Sequence, residues 1–431
     1  MGSLIMINGT TRMATMGSAQ TKMRPFVIAW MVCTAFYFLE YAIRSAPAVM
    51  IPELANHFGV STLGVSGIIG TYYYTYSTTS LVAGVLLDQF CAKFVIPGGI
   101  VVLACGCALF AIPHPIAGDI GRLMQGAGSA FAFTGAVYLA AHGLSAQRLA
   151  TAIGVTQCLG MLGGSAGQVG VGPLVHGTIT APEFWCLMGM LVFIVALILV
   201  TITPREPRTG EVTSFASSVL TPYKIVFSNP QSYLCGLVAG LLFAPTTVLD
   251  MVWGVRFLEQ DSAFPYGSAV FAASMVPLGW VIGCPLLGWL ADVLGRRKPA
   301  LIGGVLIMLI CMLQLTFAPA PAYTWVTLLV FGIGSGAAMI PYTIIKEVNP
   351  DGVKGSATGA MNFLTFSVTA GIGPIFAHLY GKTLATTTDH AAHLHHTRLF
   401  WISIVVLASI VGALLKETGS AARRTADNKV F

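Results

Sequence analysis

Long apolar segments separated by short polar turns run through most of this chain of 431 residues. An apolar segment of about 20 residues is long enough to cross a bilayer as a helix. Twelve segments meet this pattern, six in each half of the chain, near residues 24–52, 62–86, 94–112, 117–140, 150–175, 183–203, 231–257, 267–291, 299–317, 324–346, 353–380 and 398–416. The pattern predicts an all-α integral membrane protein whose twelve transmembrane helices form two six-helix bundles.

The polar stretches between these segments predict how the chain is organised. Residues 1–23 lack the apolar core and cleavage site of a signal peptide, so we expect a disordered cytoplasmic tail. The first bundle then covers 24–203 and the second bundle covers 231–416, with a short tail at 417–431. Residues 204–230 form the longest polar interruption and are interpreted as a cytoplasmic linker, in which Val219 to Phe227 favour a short interfacial helix.

The two halves of the chain repeat each other. The sequence GVLLD from Gly84 to Asp88 returns as GWLAD from Gly288 to Asp292, an offset of 204 residues, and two further pairs of segments recur at nearly the same offset. In membrane transporters, halves related in this way place a substrate path at their interface near the bilayer midplane. The repeat therefore indicates a secondary transporter.

Composition supports the membrane assignment and limits the partners. Hydrophobic residues make up 55% of the chain and charged residues only 9%, against about 25% charged in soluble domains. Most of the 22 Lys and Arg residues lie in alternate short loops, which predicts that both termini are cytoplasmic. The net charge of +6 is then a topology signal, so a nucleic-acid partner is not expected, and the cysteines show no paired loop spacing that predicts a disulfide or zinc site.

Two motifs in this sequence are Gly288-x-x-x-Asp292-x-x-Gly295-Arg296-Arg297-Lys298 and Arg122-x-x-Gln125-Gly126-x-Gly128. They resemble signatures of the Major Facilitator Superfamily. The family's loop signature is nearly complete in the second half and degraded in the first, and its fourth-helix signature is also present. The resemblance covers about residues 24–416 and implies a twelve-helix fold in which the loop signature is a conformational latch; an alternative is that its basic residues are only topology anchors. The latch candidates are Gly84, Asp88, Gly288, Asp292, Arg296 and Arg297, and the fourth-helix motif is Arg122, Gln125, Gly126 and Gly128.

Ionisable residues inside predicted spans are costly and indicate functional sites. In the first span Glu40 and Arg44 lie four residues apart, so they share a helical face with Tyr37 and Tyr41 and can pair. Arg44 suits a carboxylate or phosphate ligand because its guanidinium offers a planar, always charged fork. We interpret Arg44 as an anion-binding residue and Glu40 as a proton carrier; the alternative is a permanent structural ion pair. Tyr37 and Tyr41 are further candidate substrate-binding residues.

The sequence from Tyr41 to Arg44, followed by a small-residue stretch with Pro47, is similar to the first helix of the organic-anion and organophosphate branches of the superfamily. The repeat offset places an acid, Asp250, opposite Arg44, so a phosphate clamp made of two symmetric arginines is not supported. Asp250 is a candidate outer gate or second proton site if it pairs with Arg44 or Arg256. The alternative is an interface acid near the outer surface.

The remaining pocket candidates are polar or aromatic. Gln157 and Asn362 are related by the repeat and are predicted to contact substrate, as is Trp253. The resemblance implies a proton-relay role for Arg122, whereas pairing with Asp119 is the alternative. Two further groups are weaker candidates for a functional site. Four tyrosines of the second span form an aromatic run, of which only some can face a cavity. An external loop has metal-binding character and is interpreted as solvated. These groups are Tyr72, Tyr73, Tyr74 and Tyr76, and Asp389, His390, His393, His395 and His396.

Together these patterns predict a monomeric carrier in a bacterial-type cytoplasmic membrane. It is expected to move a small polar solute, an organic anion or an amino acid, by proton-coupled alternating access, without a cofactor or bound metal. Two alternatives remain: a carrier of metals, metal chelates or hydrophobic compounds with the same fold, and a non-transporting membrane receptor. An enzyme is not expected, because the polar loops lack a nucleophile–base pair or phosphate loop.

Overall fold

A computed structural model describes residues 7–205, 215–386 and 390–421, and within these ranges the regular structure is entirely helical. The first half contains nine α-helices in the described part. These are α1 (Ile7–Ser45), α2 (Ile51–Phe58), α3 (Thr62–Gly70), α4 (Tyr72–Gln89), α5 (Ala92–Phe110), α6 (Pro115–Gly143), α7 (Ala146–Val169), α8 (Val171–Gly177) and α9 (Ala181–Ile202).

The linker and the second half add eight α-helices over the residues that are described. These are α10 (Phe215–Ser228), α11 (Pro230–Ala244), α12 (Tyr266–Leu294), α13 (Lys298–Phe317), α14 (Thr324–Ser335), α15 (Ile340–Val348), α16 (Lys354–Thr386) and α17 (His390–Leu414). Two π-helical segments, Pro245–Gly254 and Phe257–Asp261, continue α11. The short helix predicted around Val219 to Phe227 is confirmed as part of α10.

Ten helical segments of the described chain are long and apolar enough to cross a membrane. They correspond to ten of the twelve predicted spans. The predicted spans 62–86 and 117–140 are also helical, as α3 with α4 and as α6, but tyrosine and threonine in the former and Arg122 and Gln125 in the latter reduce their apolar character. The number of crossing helices and the cytoplasmic position of the termini stay predictions.

Helix α1 includes part of the segment that was assigned to the predicted cytoplasmic tail. Helix α1 begins at Ile7 and continues without a break through Pro25 into the first apolar span. Residues 10–24 contain Met, Ala, Arg, Gln and Lys, which are good helix formers. Residues that extend an existing helix need no new helix nucleus, and the disorder of the tail stays a prediction.

Close approach of the helices depends on glycine. A Cβ atom added to Gly163 of α7 would overlap the backbone carbonyl of Phe38 in α1. A backbone group cannot rotate away as a side chain can. Gly154, on the same helix, is exposed and has no atom within 4 Å of an added Cβ.

We expect Gly163→Ala to lower the apparent melting temperature of the purified protein, because forcing an extra carbon into a packed contact costs about 1–3 kcal/mol. Gly154→Ala is the matched control, and alanine there is expected to be neutral or stabilising because alanine favours the helix by up to about 1 kcal/mol over glycine. Equal melting temperatures for the two variants would contradict the α1–α7 contact.

Hydrogen bonds join the two halves near both ends of the molecule. We call the end with α10 and the turns at 90–91 and 295–297 the linker end, and the opposite end, with the turn at 262–265, the far end. Near the far end, the Tyr266 hydroxyl donates to the Val49 carbonyl at 2.6 Å and Arg256 Nη1 donates to Thr62 Oγ1 at 2.8 Å. At the linker end, the Tyr223 hydroxyl of α10 donates to the Leu81 carbonyl at 2.9 Å.

Candidate functional site

The first span places an acid and a base together in the interior. Glu40 and Arg44 lie one turn apart on α1, and their side chains are fully buried. Arg44 Nη2 donates to Glu40 Oε1 at 2.6 Å and Arg44 Nε donates to the same oxygen at 3.0 Å. The pairing predicted from their spacing is confirmed.

Tyr72, at the start of α4, completes this pair. Its hydroxyl donates to Glu40 Oε1 and accepts a hydrogen bond from Arg44 Nε at 3.1 Å. The three bonds that Glu40 accepts, two from Arg44 and one from Tyr72, all end on its Oε1. Among the described residues, Glu40 Oε2 and Arg44 Nη1 have no hydrogen-bond partner although both atoms are buried. The pair therefore keeps one acceptor and one donor that the described residues do not use.

Aromatic rings surround the guanidinium of Arg44. The central carbon of the guanidinium lies 4.2 Å from the ring centre of Tyr41, 4.5 Å from that of Tyr76, 5.1 Å from that of Tyr72 and 5.7 Å from that of Phe366. We call these four residues the arginine cage. Such contacts stabilise a cation in a desolvated site. Because Phe366 belongs to α16, the cage includes both halves of the chain.

Several predicted pocket residues connect to this centre. The Tyr37 hydroxyl donates to Gln157 Oε1 at 3.3 Å, and the Tyr37 and Tyr41 rings meet edge to face at 5.0 Å. Gln157 Nε2 is buried and has no partner in the described structure. In the second half, Asn362 Oδ1 accepts from the Tyr342 hydroxyl at 2.8 Å. Asn362 precedes Phe366 by one helical turn, so it shares a face with a cage residue.

Trp253 lies apart from the arginine cage. Its ring contacts Phe376 at 5.4 Å and Tyr380 at 4.9 Å, and the Arg256 guanidinium lies 5.5 Å from it. These contacts place it in an aromatic cluster of the second half near the far end. The predicted substrate contact of Trp253 is not supported by this position.

The described hydrogen bond of Asp250 is to a different partner from the arginines that the sequence predicted. Its Oδ2 accepts a hydrogen bond from Gln168 Nε2 of α7 at 3.2 Å, and Arg256 donates to Thr62 instead. Neither the expected pair with Arg44 nor the pair with Arg256 is found among the described contacts. Asp250 is buried within the π-helical segment Pro245–Gly254, where it joins the second half to the first.

Arg122 holds backbone groups near the site. It is fully buried, and it donates to Gln125 Oε1 at 2.6 Å and to the carbonyls of Arg44 at 3.0 Å and Ile43 at 3.4 Å. The alternative pairing with Asp119 is therefore wrong. The guanidinium also lies 4.8 Å from the Tyr72 ring. Arg122 fixes the end of α1 that carries Arg44.

The loop signature of the second half forms an ion-pair cluster. Arg297 Nη1 donates to Asp292 Oδ1 at 2.5 Å, and its Nη2 donates to Glu347 Oε1 at 3.0 Å. Burial disfavours the charged guanidinium, but the bonds to Glu347 and Asp292 outweigh this effect and raise the pKa of Arg297. Glu417 Oε1 accepts from the backbone N–H of Arg297 at 2.8 Å. Glu347 and Glu417 were not predicted because neither belongs to the motif.

The other latch candidates have fewer described contacts. Arg296 is exposed, and added Cβ atoms at Gly84 and Gly288 would meet no atom within 4 Å. The side chain of Asp88 lies outside the described residues, as does Asp389 of the histidine-rich loop. No group of three or more His, Cys, Asp or Glu residues arranged for a metal occurs in the part of the chain that is described.

Comparisons with known proteins agree with this architecture. The family model for the Major Facilitator Superfamily matches residues 33–374. A D-galactonate transporter of Escherichia coli O6:H1 strain CFT073 is 26% identical over 201 residues, which cover 44% of this chain and 43% of that transporter. The match thus spans less than half of the relative's length.

Solved structures share the fold. A bacterial homologue of the human lysosomal transporter Spinster, in an inward-facing and unoccupied conformation, has a TM-score of 0.72 at 15% identity and covers 91% of this chain and 97% of its own. A variant of the nucleoside transporter NupG has a TM-score of 0.70 at 12% identity and covers 90% of this chain and 99% of its own. At these identities the likeness describes the fold alone.

Proposed function

This chain belongs to the Major Facilitator Superfamily, a family of multi-pass membrane transporters, and from this premise we propose that it carries a small organic anion together with a proton. The observation that supports the proposal most is the buried Glu40–Arg44 pair, with one donor and one acceptor available. A buried ion pair is costly to desolvate and is weak evidence for stability alone. Inside a membrane, such a pair is a functional site by default.

Competition for Arg44 supplies the coupling in this proposal. A substrate carboxylate that binds Arg44 approaches the Glu40 carboxylate, which uses the same guanidinium. Two carboxylates that share one cation repel each other, and a proton on Glu40 removes that repulsion. Substrate and proton therefore bind better together than separately. Tyr72 keeps a hydrogen-bond partner for Glu40 in either state because its hydroxyl both donates and accepts.

The substrate class follows from the charges and amides near the cage. Arg44 is the cation that is available there, since Arg122 donates to backbone carbonyls and Gln125. One guanidinium favours a monocarboxylate over a dianion. The amides of Gln157 and Asn362 suit hydroxyl groups, so we propose a hydroxylated monocarboxylate. The partial match to a transporter of D-galactonate, a sugar acid, supports the same class.

The distribution of contacts supports alternating access between the halves. The halves are joined near the far end by Tyr266 and Arg256, and by the bond from Gln168 to Asp250. At the linker end, the described bond to the first half comes from α10. In this proposal the arginine cage exchanges ligand with the linker end, the predicted cytoplasmic side. The match to a bacterial relative favours a location in the inner membrane.

Two further ionisable residues keep secondary roles in the proposal. Asp250 is a second candidate proton site, because it is buried in a π-helical segment and bonds across the halves. Arg122 acts on the proton step as a positioning residue, through the carbonyl of Arg44.

Uptake into proteoliposomes tests the proposed function. The vesicles are made acidic outside and offered labelled gluconate, galactonate, neutral amino acids and sugar phosphates in turn. We expect accumulation of a hydroxylated monocarboxylate that a protonophore abolishes. Accumulation of sugar phosphates to the same extent would contradict the single-arginine site, and uptake that ignores the pH gradient would contradict coupling. If no solute is taken up or stabilises the purified protein, the receptor alternative is favoured.

Two variants at neighbouring arginines test whether the loop signature acts as a conformational latch. Arg297→Gln removes the bonds to Asp292 and Glu347, whereas Arg296→Gln changes an exposed residue. A charge-assisted hydrogen bond contributes about 1.5–3 kcal/mol, so we expect initial uptake rates about tenfold lower for Arg297→Gln. Arg296→Gln is expected to stay within about twofold of the parent, since exposed charges contribute little. Equal effects would favour topology anchoring alone.

A further inference from the structure

A cavity of about 340 Å³ lies inside the second half, apart from the arginine cage. Its walls come from the π-helical segments, α13, α14 and α17, and they are mostly apolar, with Leu249, Leu315, Leu328 and Phe331 among them. The cavity has the size and character of a small-molecule site. Phe264 and Pro321, at the far end, line both this cavity and a neighbouring cleft on the surface. We call the former the far-end cavity.

Two side chains of α17 give this apolar cavity a polar edge. Trp401 is 1% exposed, and its indole N–H has no hydrogen-bond partner among the described residues. A buried donor without a partner is destabilising, so an acceptor oxygen in the cavity would be stabilised there. Arg398 lines the cavity three residues earlier, on the same face of the helix, and donates to Ser262 Oγ at 3.4 Å. An indole N–H and a guanidinium together favour an oxyanion.

We propose that the far-end cavity binds an amphipathic anion, an acyl chain with an anionic head group. The head lies at Arg398 and Trp401, and the chain packs among the leucines. The same chemistry is offered by a free medium-chain fatty acid and by an anionic membrane lipid. Asp250 also lines the cavity, so an amine of equal chain length is the competitor that would bind if the acid rather than the arginine recognised the head.

The cavity shares a wall with the interface between the halves. Leu249 and Asp250, in the segment Pro245–Gly254, line the cavity. The same segment accepts a hydrogen bond at the Thr247 carbonyl from the Tyr73 hydroxyl at 3.1 Å, and at Asp250 from Gln168. π-Helical segments are frequent at functional sites. A ligand that binds this arrangement favours it over others, so an occupant of the cavity stabilises the bonded far end.

Tryptophan quenching tests the binding directly and does not depend on the transported substrate. The full-length protein in phosphatidylcholine nanodiscs is titrated with 10-bromodecanoate, whose bromine quenches nearby indoles. We expect saturable quenching, of which a part disappears in Trp401→Phe. Arg398→Gln is expected to weaken binding about tenfold, because the variant loses a charge-assisted hydrogen bond to the head group. Arg296→Gln is the matched control, an exposed arginine of the same half at the linker end that does not line the cavity.

Additional measurements distinguish a free fatty acid from a membrane lipid, and an anionic head group from a cationic one. Nanodiscs with chain-brominated phosphatidylglycerol and no added acid show Trp401-dependent quenching if the occupant is a membrane lipid; added decanoate relieves it. Hydrogen exchange over residues 245–261 is expected to slow on binding, which gives a measurement independent of Trp401. Linear quenching that is equal in all variants would overturn the proposal, as would decylamine binding as tightly as decanoate.

Discussion

Arg44→Ala is expected to abolish proton-driven uptake and to destabilise the protein. The change leaves the Glu40 carboxylate buried with its cation removed. Breaking a buried ion pair by removing one partner costs about 3–5 kcal/mol, which thermal unfolding of the purified protein measures. Uptake loses the residue proposed to bind the substrate carboxylate, and a loss of about 3 kcal/mol in binding corresponds to roughly a hundredfold.

A double variant separates the two effects. Arg44→Ala with Glu40→Gln removes the unpaired charge, so we expect its apparent melting temperature to recover most of the difference, while uptake stays at the level of the single variant. Arg44→Lys keeps the charge but not the fork, and intermediate uptake is expected because lysine cannot replace a bidentate contact. If the double variant regains uptake, Arg44 is a structural partner of Glu40 and the anion-binding role is wrong.

Local patterns in this sequence predicted local contacts well. The Glu40–Arg44 bond follows from a spacing of four residues on one helix, and Asp292 with Arg297 follows from a turn of the same motif. The positions of the spans follow from apolar length alone. Residues 62–86 and 117–140 form helices although they are less apolar, because helices inside a bundle are packed against protein and need less lipid-facing surface.

Contacts between distant segments were not predictable in the same way. Tyr72 lies 28 residues from Arg44, and Phe366 belongs to the other half of the chain. Four tyrosines close together in one helix point around most of its circumference, so the sequence could not show that Tyr72 and Tyr76 reach Arg44 whereas Tyr74 is exposed. Selecting among them requires the packing of α4 against α1 and α16.

The repeat predicted that Asp250 corresponds to Arg44, but it did not predict the direction of the Asp250 side chain. Mapping Arg44 onto Asp250 assumes that both halves have regular α-helices. The second half has a π-helical segment, Pro245–Gly254, at this place. A π-helix bonds residue i to i+5, so side chains after its start turn less per residue than on an α-helix. Asp250 consequently meets Gln168, and Trp253 meets Tyr380.

Glu40→Gln is expected to separate transport from its driving force. Glutamine has nearly the same shape and can still bond to Tyr72 and Arg44, but it carries no exchangeable carboxyl proton. We therefore expect accumulation driven by an acidic exterior to fall to the level seen with a protonophore. Exchange of labelled for unlabelled substrate across the membrane is expected to persist, since it needs binding and a change of access but no net proton movement. Measuring both in the same proteoliposomes gives the contrast.

Asp250→Asn is the matched control for this test, because it also replaces a buried acid of a helical span by its amide. Asp250 is bonded to Gln168, and no cation is among its described hydrogen bonds. An anion that binds Arg44 therefore does not compete directly with Asp250. We expect Asp250→Asn to keep accumulation within about threefold of the parent, because the variant changes one neutral hydrogen bond worth about 0.5–1.5 kcal/mol. Loss of accumulation in Asp250→Asn but not in Glu40→Gln would assign the coupling proton to the far end instead.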